Sequence, residues 1–494
     1  MSDQGGPYGP GAPGQSGPQG WPPPGPPPGP QGWPPSGLPP GPQGWPPPGQ
    51  PTQAFPPPGP GVPGQGWPGG GPATGQPQAP AAKSRAPIII TAIAVVVALL
   101  AGVGVWFFAI RDTKQTTGQG SPQDAVTALF ASLGNSDPIG LADQLDPTEA
   151  SLFTDLNADM ISELKRLDVL GSAASADSMT GTKISVSGVT FDGADETINE
   201  NLRIVKLSGG TVTVASNPDQ IPLGDKIKKA LAKEIDQAQP KTQTINIADA
   251  VADNGGPIRV ATVKRGDQWY VSLFYTVADN ATHQAGLPNP TDADRIPAAG
   301  SASPEAAARS LIDKASTGDL TGLIALTPPD EMGALHDYGK LLVKEAGGTL
   351  SSDIGKAGFK IGDPTFSVTD VTGGKKVSLQ SLTITTDGQT ATITRDPAAG
   401  SLTVQAPGQA TVTLDESSID TYIAQAAGSQ DLDPALVEII KREFKQIIGL
   451  GIVTVQVDGQ WYVSPVRSFS DVFVSLLKGL EPSDIDYFIS LAGN

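Results

Sequence analysis

Hydrophobic and polar positions change their spacing along the chain in the same order twice. Early in each half, apolar side chains recur at helical intervals, as in Ala125, Leu129 and Leu133. Later in each half they alternate with polar side chains, as in Lys183-Ile184-Ser185-Val186-Ser187 and Phe366-Ser367-Val368. Such alternation is typical of half-buried strands. The pattern therefore predicts helices followed by antiparallel strands in each half.

The closing strand occurs in two copies. Gly266-Asp267-Gln268-Trp269-Tyr270-Val271-Ser272 recurs as Asp458-Gly459-Gln460-Trp461-Tyr462-Val463-Ser464, in a chain with only seven Trp. Because successive side chains of a strand point to opposite faces, Trp and Val share one face and Tyr and Ser share the other. Two interpretations are open for Tyr270 and Tyr462: they line a ligand pocket, or they belong to an ordinary core strand.

The two copies also begin alike. Ser121-Pro122 and Ser303-Pro304 each place a capping Ser before a Pro at the first helical position. These signals predict two copies of one α+β domain, joined by a linker. Domain 1 is expected at residues 121–280, the linker at 281–302 and domain 2, with a C-terminal helical extension, at 303–494. Further helical stretches are predicted at 152–170, 223–238, 332–345, 419–425 and 434–448.

Residues 87–110 form a 24-residue run without a charged side chain. About 20 apolar residues cross the hydrocarbon layer of a bilayer, so this run predicts one transmembrane helix, followed by a short linker at 111–120. The run is too long and begins too late for a cleaved signal peptide, which favours a signal anchor. Lys83 and Arg85 balance Arg111 and Lys114, so basic residues do not orient it. We expect a single-pass plasma-membrane protein with a cytoplasmic N-terminus and extracytoplasmic domains, because such anchors send the larger C-terminal part across.

Residues 1–86 hold 29 of the 49 Pro and 22 of the 60 Gly but almost no aliphatic side chains, which predicts a disordered tail. The sequence Gly-Pro-Gln-Gly-Trp-Pro-Pro occurs there with a period of twelve residues. One interpretation is multivalent recognition of protein partners, and the other is a solvated spacer. Under the first interpretation the candidate partner-binding residues are Trp21, Trp33, Trp45 and Trp67.

Charge and residue usage exclude several classes of function. Residues 111–494 carry 30 Lys and Arg against 49 Asp and Glu, and nucleic-acid binding requires the opposite balance. The chain has no Cys and only two His, which excludes disulfides, thiolate nucleophiles and clustered histidine metal sites. Carboxylate-only calcium or magnesium sites remain open on this count. We predict no catalytic residue, metal site or cofactor.

Three further motifs have competing interpretations. Ser162-Glu163-Leu164-Lys165 fits the S-x-x-K motif of penicillin-binding enzymes, but the motifs that accompany it are missing. His336 beside Asp337 is interpreted as a surface pair. The acidic pairs Asp146/Glu149 and Asp330/Glu331 occupy equivalent places, either as a shared cation or glycan contact or as carboxylates at helix starts.

Helices followed by a curved antiparallel meander and a closing Gly-x-Trp-Tyr-Val strand resemble the NTF2-like/cystatin-like α+β superfamily. The copies look like the lumazine-binding-related domains of actinobacterial envelopes. The whole chain is similar to actinobacterial anchored proteins with a Pro/Gly-rich cytoplasmic tail and tandem extracytoplasmic domains. The resemblance covers residues 121–280 and 303–475 in layout, and it implies a concave sheet face that holds ligands. The predicted helices at 223–238, 419–425 and 434–448, which are inserted between the strands, are a departure that could plug this face.

These observations favour a membrane-anchored cell-envelope scaffold without catalysis. In this interpretation the tail recruits cytoplasmic partners and the tandem domains bind envelope partners. The alternative is a carrier or sensor of an apolar envelope ligand, such as a lipid or a cell-wall precursor. An open apolar cavity larger than ~300 Å³ would favour the carrier, whereas a pocket filled by the inserted helices would favour the scaffold.

Overall fold

The first half of the molecule, residues 117–284, folds into a six-stranded antiparallel sheet with helices on both faces. The computed structural model describes residues 117–135, 138–174, 181–237, 241–346, 359–386, 388–427 and 432–492. The strands of the first half are β1 Thr182–Phe191, β2 Glu196–Asn199, β3 Leu202–Ser216, β4 Lys241–Asn246, β5 Ile258–Arg265 and β6 Gln268–Val271. Its helices are α1 Pro122–Gly134, α2 Pro138–Asp143, α3 Pro147–Arg166, α4 Asp225–Ala230, α5 Ala232–Gln237, α6 Ile247–Asn254 and α7 Leu273–Gln284.

The long strand β3 organises the first sheet. It pairs with β1 on one side, and on the other side its first residues pair with β5 and its last residues with β4. One face of this sheet packs against α1, α2 and α6, where Phe130, Leu141, Ile247 and Trp269 belong to one buried cluster. The opposite face packs against α7 and against a helix of the second half. The first sheet is therefore covered on both faces.

The second half, residues 285–492, repeats this plan around a seven-stranded sheet. Its strands are β7 Phe359–Val371, β8 Gly374–Thr386, β9 Gln389–Asp396, β10 Ser401–Gln405, β11 Val412–Leu414, β12 Ile452–Val457 and β13 Gln460–Ser464. Its helices are α8 Pro304–Ser316, α9 Leu320–Ala325, α10 Gly333–Ala346, α11 Glu416–Ala427, α12 Pro434–Ile448, α13 Pro465–Gly479 and α14 Pro482–Ala492.

The two sheets share a common skeleton. The strand β8 pairs with β7 on one side and with β9 and β12 on the other, as β3 does with β1, β4 and β5. Both closing hairpins turn through a Gly with positive φ, at Gly266 (59°) and Gly459 (78°). Glycine adopts such angles without the steric cost that a side chain brings. The strands β10 and β11 extend the second sheet only.

The fold class is α+β, as the sequence predicts, and the predicted helix starts are confirmed. Ser121 accepts a hydrogen bond from the backbone of Asp124, and Ser303 accepts one from Ala306. The helix expected at 152–170 begins earlier, because Asp146 caps it at Pro147. The ends of the predicted linkers join the sheets, since Gln119 pairs with Trp269 and Ser301 pairs with Trp461.

Among the residues that the structure describes, no helix combines the length and apolar character needed to cross a bilayer. The predicted transmembrane helix at 87–110 and the predicted tail at 1–86 lie outside the described residues.

Candidate functional site

The two halves contact each other through equivalent helices. Helix α3 of the first half packs against α13 of the second, and α10 of the second half packs against α7 of the first. The helices α3 and α10 occupy the same position in their halves, as do α7 and α13. The contact is therefore reciprocal, as in a symmetric dimer built from one chain.

A glutamate and a serine fix the start of α7 and of α13. Glu149 accepts hydrogen bonds from Ser272 Oγ (2.5 Å) and from the backbone N–H of Leu273 (2.6 Å). Glu331 accepts one from Ser464 Oγ at the same distance, 2.5 Å. The acidic pairs have two interpretations, a cation or glycan contact and carboxylates at a helix start. The contacts of Glu149 and Glu331 match the second interpretation. The helix whose start they bind is α7 or α13, which follows the closing strand. Each glutamate–serine contact gives a fixed reference point from which equivalent residues of the two halves can be counted.

The carboxyl group of Glu149, in the first half, has a raised pKa. Burial, with a further contribution from the neighbouring Asp146 carboxylate, raises the pKa of Glu149 to about 8. Arg265 compensates Asp146, which it binds at 2.5 Å. In the second half, Arg467 Nε lies 2.8 Å from Glu331 and supplies a direct positive partner.

The residue three positions after each serine differs between the halves. In the first half it is Tyr275, whose hydroxyl donates to Asp337 at 2.6 Å. In the second half it is Arg467, whose Nη1 donates to Asp155 at 2.6 Å. Asp155 and Asp337 are themselves equivalent, since each lies six residues after its glutamate. Of these two equivalent contacts between the halves, one is thus a phenol–carboxylate hydrogen bond and the other is an ion pair.

A tyrosine fills the space between α7 and α10. Tyr338 is fully buried, and its ring lies edge-on to Tyr275 with centroids 6.3 Å apart. Its hydroxyl donates to Asp279 Oδ1 at 3.2 Å. Asp279 also pairs with Arg259, whose Nε lies 2.6 Å from Oδ2. We call this region, which also includes Ile204, Ala261 and Ala278, the filled crevice.

The equivalent space between α3 and α13 is a cavity of about 240 Å³, which we call the open crevice. The position of Tyr338 is taken by Leu156, seven residues after Glu149, and that of Asp279 by Asp471, seven residues after Ser464. The apolar lining comes from Leu152, Leu156, Val371, Val453, Val466 and Val474. The charged lining comes from Asp155, Asp159, Asp370, Asp471, Arg467 and Lys478.

One carboxylate oxygen in the open crevice lacks a hydrogen bond. Lys376 Nζ lies 3.1 Å from Asp471 Oδ2, close enough for an ion pair, but its hydrogen bond is to Oδ1 at 3.3 Å. Oδ2 itself is inaccessible to solvent and accepts no hydrogen bond within the described residues. Nearby, partial burial raises the pKa of Asp159, with Lys478 opposing the effect and the Asp155 carboxylate adding to it. The crevice therefore holds a carboxylate, Asp471, whose partner is the Lys376 ammonium.

A second cavity of about 640 Å³ lies in the first half, along the start of β5 and the end of α7. His283, Arg259 and Glu196 line it. Burial would lower the pKa of Arg259, but its hydrogen bonds to Asp279 and Glu196 outweigh this effect and raise the pKa. Because its guanidinium is held by these two carboxylates, Arg259 is not free to bind a ligand in this groove.

The two tyrosines predicted as pocket-lining residues are buried within the closing strands. Tyr270 is 4% exposed and its hydroxyl donates to Gln268 Oε1 at 3.0 Å. Its ring lies against Gly118, and the ring of Tyr462 lies against Gly300 in the same way. Neither tyrosine lines either of the two cavities described above. The candidate partner-binding residues of the tail, Trp21, Trp33, Trp45 and Trp67, lie outside the described residues.

His336 is buried, so its interpretation as a surface pair with Asp337 is wrong. Its imidazole is 1% exposed, with Nδ1 2.8 Å from the Ile296 carbonyl oxygen. Its Nε2 lies 3.1 Å from the carbonyl oxygen of Thr327. The neighbouring Asp337 pairs with Tyr275 and Arg295 instead.

Sequence reasoning missed Leu156 and Asp471, although a signal was present. Counting from Glu149 and Glu331, and from Ser272 and Ser464, shows which residues are equivalent in the two halves. That count would have marked Leu156 as the position where the other half has a tyrosine. It does not reveal that the two halves pack across these positions.

Within the described ranges, no group of three or more His, Asp or Glu side chains is arranged to hold a metal ion. The comparisons with protein-family models, with curated proteins and with solved structures found no match to this chain.

Proposed function

We propose that this protein is a non-catalytic scaffold of a cell envelope, anchored in the plasma membrane by residues 87–110. Its two NTF2-like, lumazine-binding-related halves would bind envelope proteins outside the cell. Its tail would recruit cytoplasmic partners through Trp21, Trp33, Trp45 and Trp67. The two functions together would couple the two compartments.

The observation that carries this proposal is that the first sheet is covered on both faces by the protein's own helices. A carrier needs an apolar cavity large enough for its ligand, typically above ~300 Å³. The open crevice is smaller, at about 240 Å³, and much of its lining is charged. The larger groove of about 640 Å³ is lined mainly by polar and charged side chains, including Asp192, Lys206 and Gln284. The filled core supports a binding platform over a carrier of lipid.

The C-terminal helices also support a binding role. Helix α13 packs between the halves, where Arg166 donates to the backbone oxygens of Leu477 and Leu480. Its outer side nevertheless leaves Phe469 72% exposed and Phe473 41% exposed. Exposed apolar side chains that lie close together on a soluble domain favour contact with another protein.

The test is affinity purification of the full-length protein from its native membrane after mild cross-linking. Proteins and lipids in the same eluate are identified by mass spectrometry. We expect reproducible envelope proteins, and a subset of cytoplasmic proteins that is lost when residues 1–80 are deleted. A stoichiometric lipid that is retained when the tail is deleted, without protein partners, would instead establish the carrier.

A further inference from the structure

The two crevices are the same place in two copies of one domain, so the filled one shows what this fold accepts there. In the filled crevice a phenol ring lies between two helices, and its hydroxyl donates to the carboxylate of Asp279. In the open crevice the matching carboxylate, Asp471, is in place and pairs with Lys376, as Asp279 pairs with Arg259. The position that supplies the ring in one half supplies only Leu156 in the other.

We propose that the open crevice receives the side chain of a tyrosine from a partner protein. The ring would lie beside Leu156 and Val474, and the hydroxyl would donate to the carboxylate of Asp471. This inference rests on the proposed scaffold function, because it specifies the chemistry by which one envelope partner binds.

The size and the opening of the crevice fit this occupant. One water takes up only ~30 Å³ of the liquid, so a cavity of about 240 Å³ has room for a ring. Asp370 and Thr372 line one end and are exposed, which leaves a route from solvent. Leucine and valine side chains provide an apolar wall for the faces of the ring.

The charges favour a neutral donor over a cation. The four carboxylates of the crevice each face a positive group already: Asp155 faces Arg467, Asp159 faces Lys478, Asp370 faces Lys375 and Asp471 faces Lys376. A lysine or arginine from a partner would lose its hydration in the crevice and compete with the cations that already lie beside these carboxylates. A phenol supplies a hydrogen bond without adding a charge, as Tyr338 does in the filled crevice.

The first arm of the test uses the full chain, purified in a mild detergent, and two probes. N-acetyl-L-tyrosinamide and N-acetyl-L-phenylalaninamide differ only in the hydroxyl, and their binding is measured by saturation-transfer NMR. We expect the tyrosine probe to bind about tenfold more tightly, because a hydrogen bond to a charged acceptor strengthens binding by about this factor or more. Equal binding of the two probes would overturn the proposal.

The matched variant is Leu156→Tyr, which places the ring of the filled crevice into the open one. It should abolish binding of the tyrosine probe, and a thermal unfolding transition verifies that the variant is folded. Asp471→Asn is the second variant, and it should reduce the preference for the hydroxyl while the Leu156 wall is unchanged. Binding that survives Leu156→Tyr would place the probe elsewhere and overturn the proposal.

The second arm separates this inference from the proposed function. The cross-linked purification is repeated with Leu156→Tyr, and cross-linked peptides are examined for a partner tyrosine near Asp471. Loss of one envelope partner, together with such a cross-link in the wild type, supports the inference. If all partners survive the substitution, the scaffold stands and the inference falls. If no partner appears with either chain while the tyrosine probe still binds, the scaffold fails and the crevice belongs to a free phenolic ligand.

Discussion

The filled and the open crevice lie at equivalent places in the two halves, yet only one of them is closed by the protein's own side chains. Between α7 and α10, Tyr275 and Tyr338 fill the space and hydrogen-bond to Asp337 and Asp279. Between α3 and α13, Arg467 and Leu156 stand at the same positions and leave a cavity of about 240 Å³. The two halves differ here at two equivalent positions. As a result, one half has a filled packing contact and the other has a candidate binding site.

The comparison also shows which parts of the interface both halves need. The glutamate–serine contact at the helix start is present in each half, at 2.5 Å in both. So is the hydrogen bond across the halves to the equivalent residues Asp155 and Asp337. These shared contacts hold the helices in the same arrangement, whereas the residues inside the crevices differ. The shared contacts should therefore determine stability, and the differing residues should determine what binds.

The largest expected effect follows from emptying the filled crevice. Tyr338→Ala removes a fully buried ring and its hydrogen bond to Asp279. We expect the free energy of unfolding to fall by about 3–5 kcal/mol, the range for truncating a buried aromatic side chain. Leu156→Ala is the control, and because Leu156 is half-buried beside a cavity it should cost only about 1 kcal/mol. Urea unfolding followed by circular dichroism measures both losses, and equal losses would contradict the difference between the crevices.

A phenol should partly reverse this loss. The cavity left by Tyr338→Ala retains the Asp279 acceptor, and engineered apolar cavities of ~150 Å³ are known to bind benzene. We expect p-cresol to raise the melting temperature of Tyr338→Ala and to leave Leu156→Tyr unchanged.

The next effect compares the two carboxylates that face the crevices. Asp279 is 2% exposed and accepts hydrogen bonds from Arg259 and Tyr338. Asp279→Asn should therefore lower the free energy of unfolding by about 1.5–3 kcal/mol, the range for hydrogen bonds to charged groups. Asp471→Asn should cost about 1 kcal/mol or less, because its contacts with Lys376, at 3.1 and 3.3 Å, are longer than the 2.6 Å contact of Asp279 with Arg259. If the two substitutions were equally costly, Asp471 would have a structural partner that the geometry does not show.

A further effect, smaller per pH unit than the losses expected for Tyr338→Ala and Asp279→Asn, depends on pH and separates Glu149 from Glu331. Burial raises the pKa of Glu149 to about 8, from 4.5 for the free side chain. An acid with a higher pKa in the folded state stabilises that state when protonated. Its contribution is complete below about pH 4.5 and is lost as the pH rises to about 8. The local charge that opposes ionisation comes from Asp146, which Arg265 partly compensates.

Glu149→Gln should remove this loss. Between about pH 5 and pH 8 we expect the stability difference, variant minus wild type, to become more favourable by up to about 1.4 kcal/mol per pH unit. Urea unfolding at three pH values measures it. Glu331→Gln is the matched control and should destabilise throughout this range, since Arg467 loses one of its two carboxylate partners. Parallel pH dependences of wild type and Glu149→Gln would show that Glu149 is ionised when buried.

Local signals in the sequence predict much of the fold, whereas the candidate site depends on distant contacts. Helix caps at Ser121 and Ser303 and the two closing hairpins are encoded within a few residues, so the α+β order could be predicted. Glu149 could be matched with Glu331, but its partner Ser272 is 123 residues away. The open crevice arises where α3 of one half meets α13 of the other, and the hydrophobic pattern does not say which helices meet. The burial of His336 is unpredictable from the sequence for the same reason. Its imidazole contacts the carbonyl oxygen of Ile296, which belongs to a segment expected to be a linker.

The smallest expected effect is a gain, and it tests whether the two crevices are equivalent in detail. Leu156→Tyr gives the open crevice the side chain that closes the filled one. If Asp471 stands to residue 156 as Asp279 stands to Tyr338, the new hydroxyl reaches the carboxylate of Asp471. Filling a cavity in this way commonly raises the free energy of unfolding by about 0.5–2 kcal/mol. Leu156→Phe fills the same space without the donor, so it should gain less. A loss of stability in both variants would mean that the crevice is too narrow for a ring. A gain in Leu156→Tyr alone would show that one tyrosine side chain is enough to close the crevice.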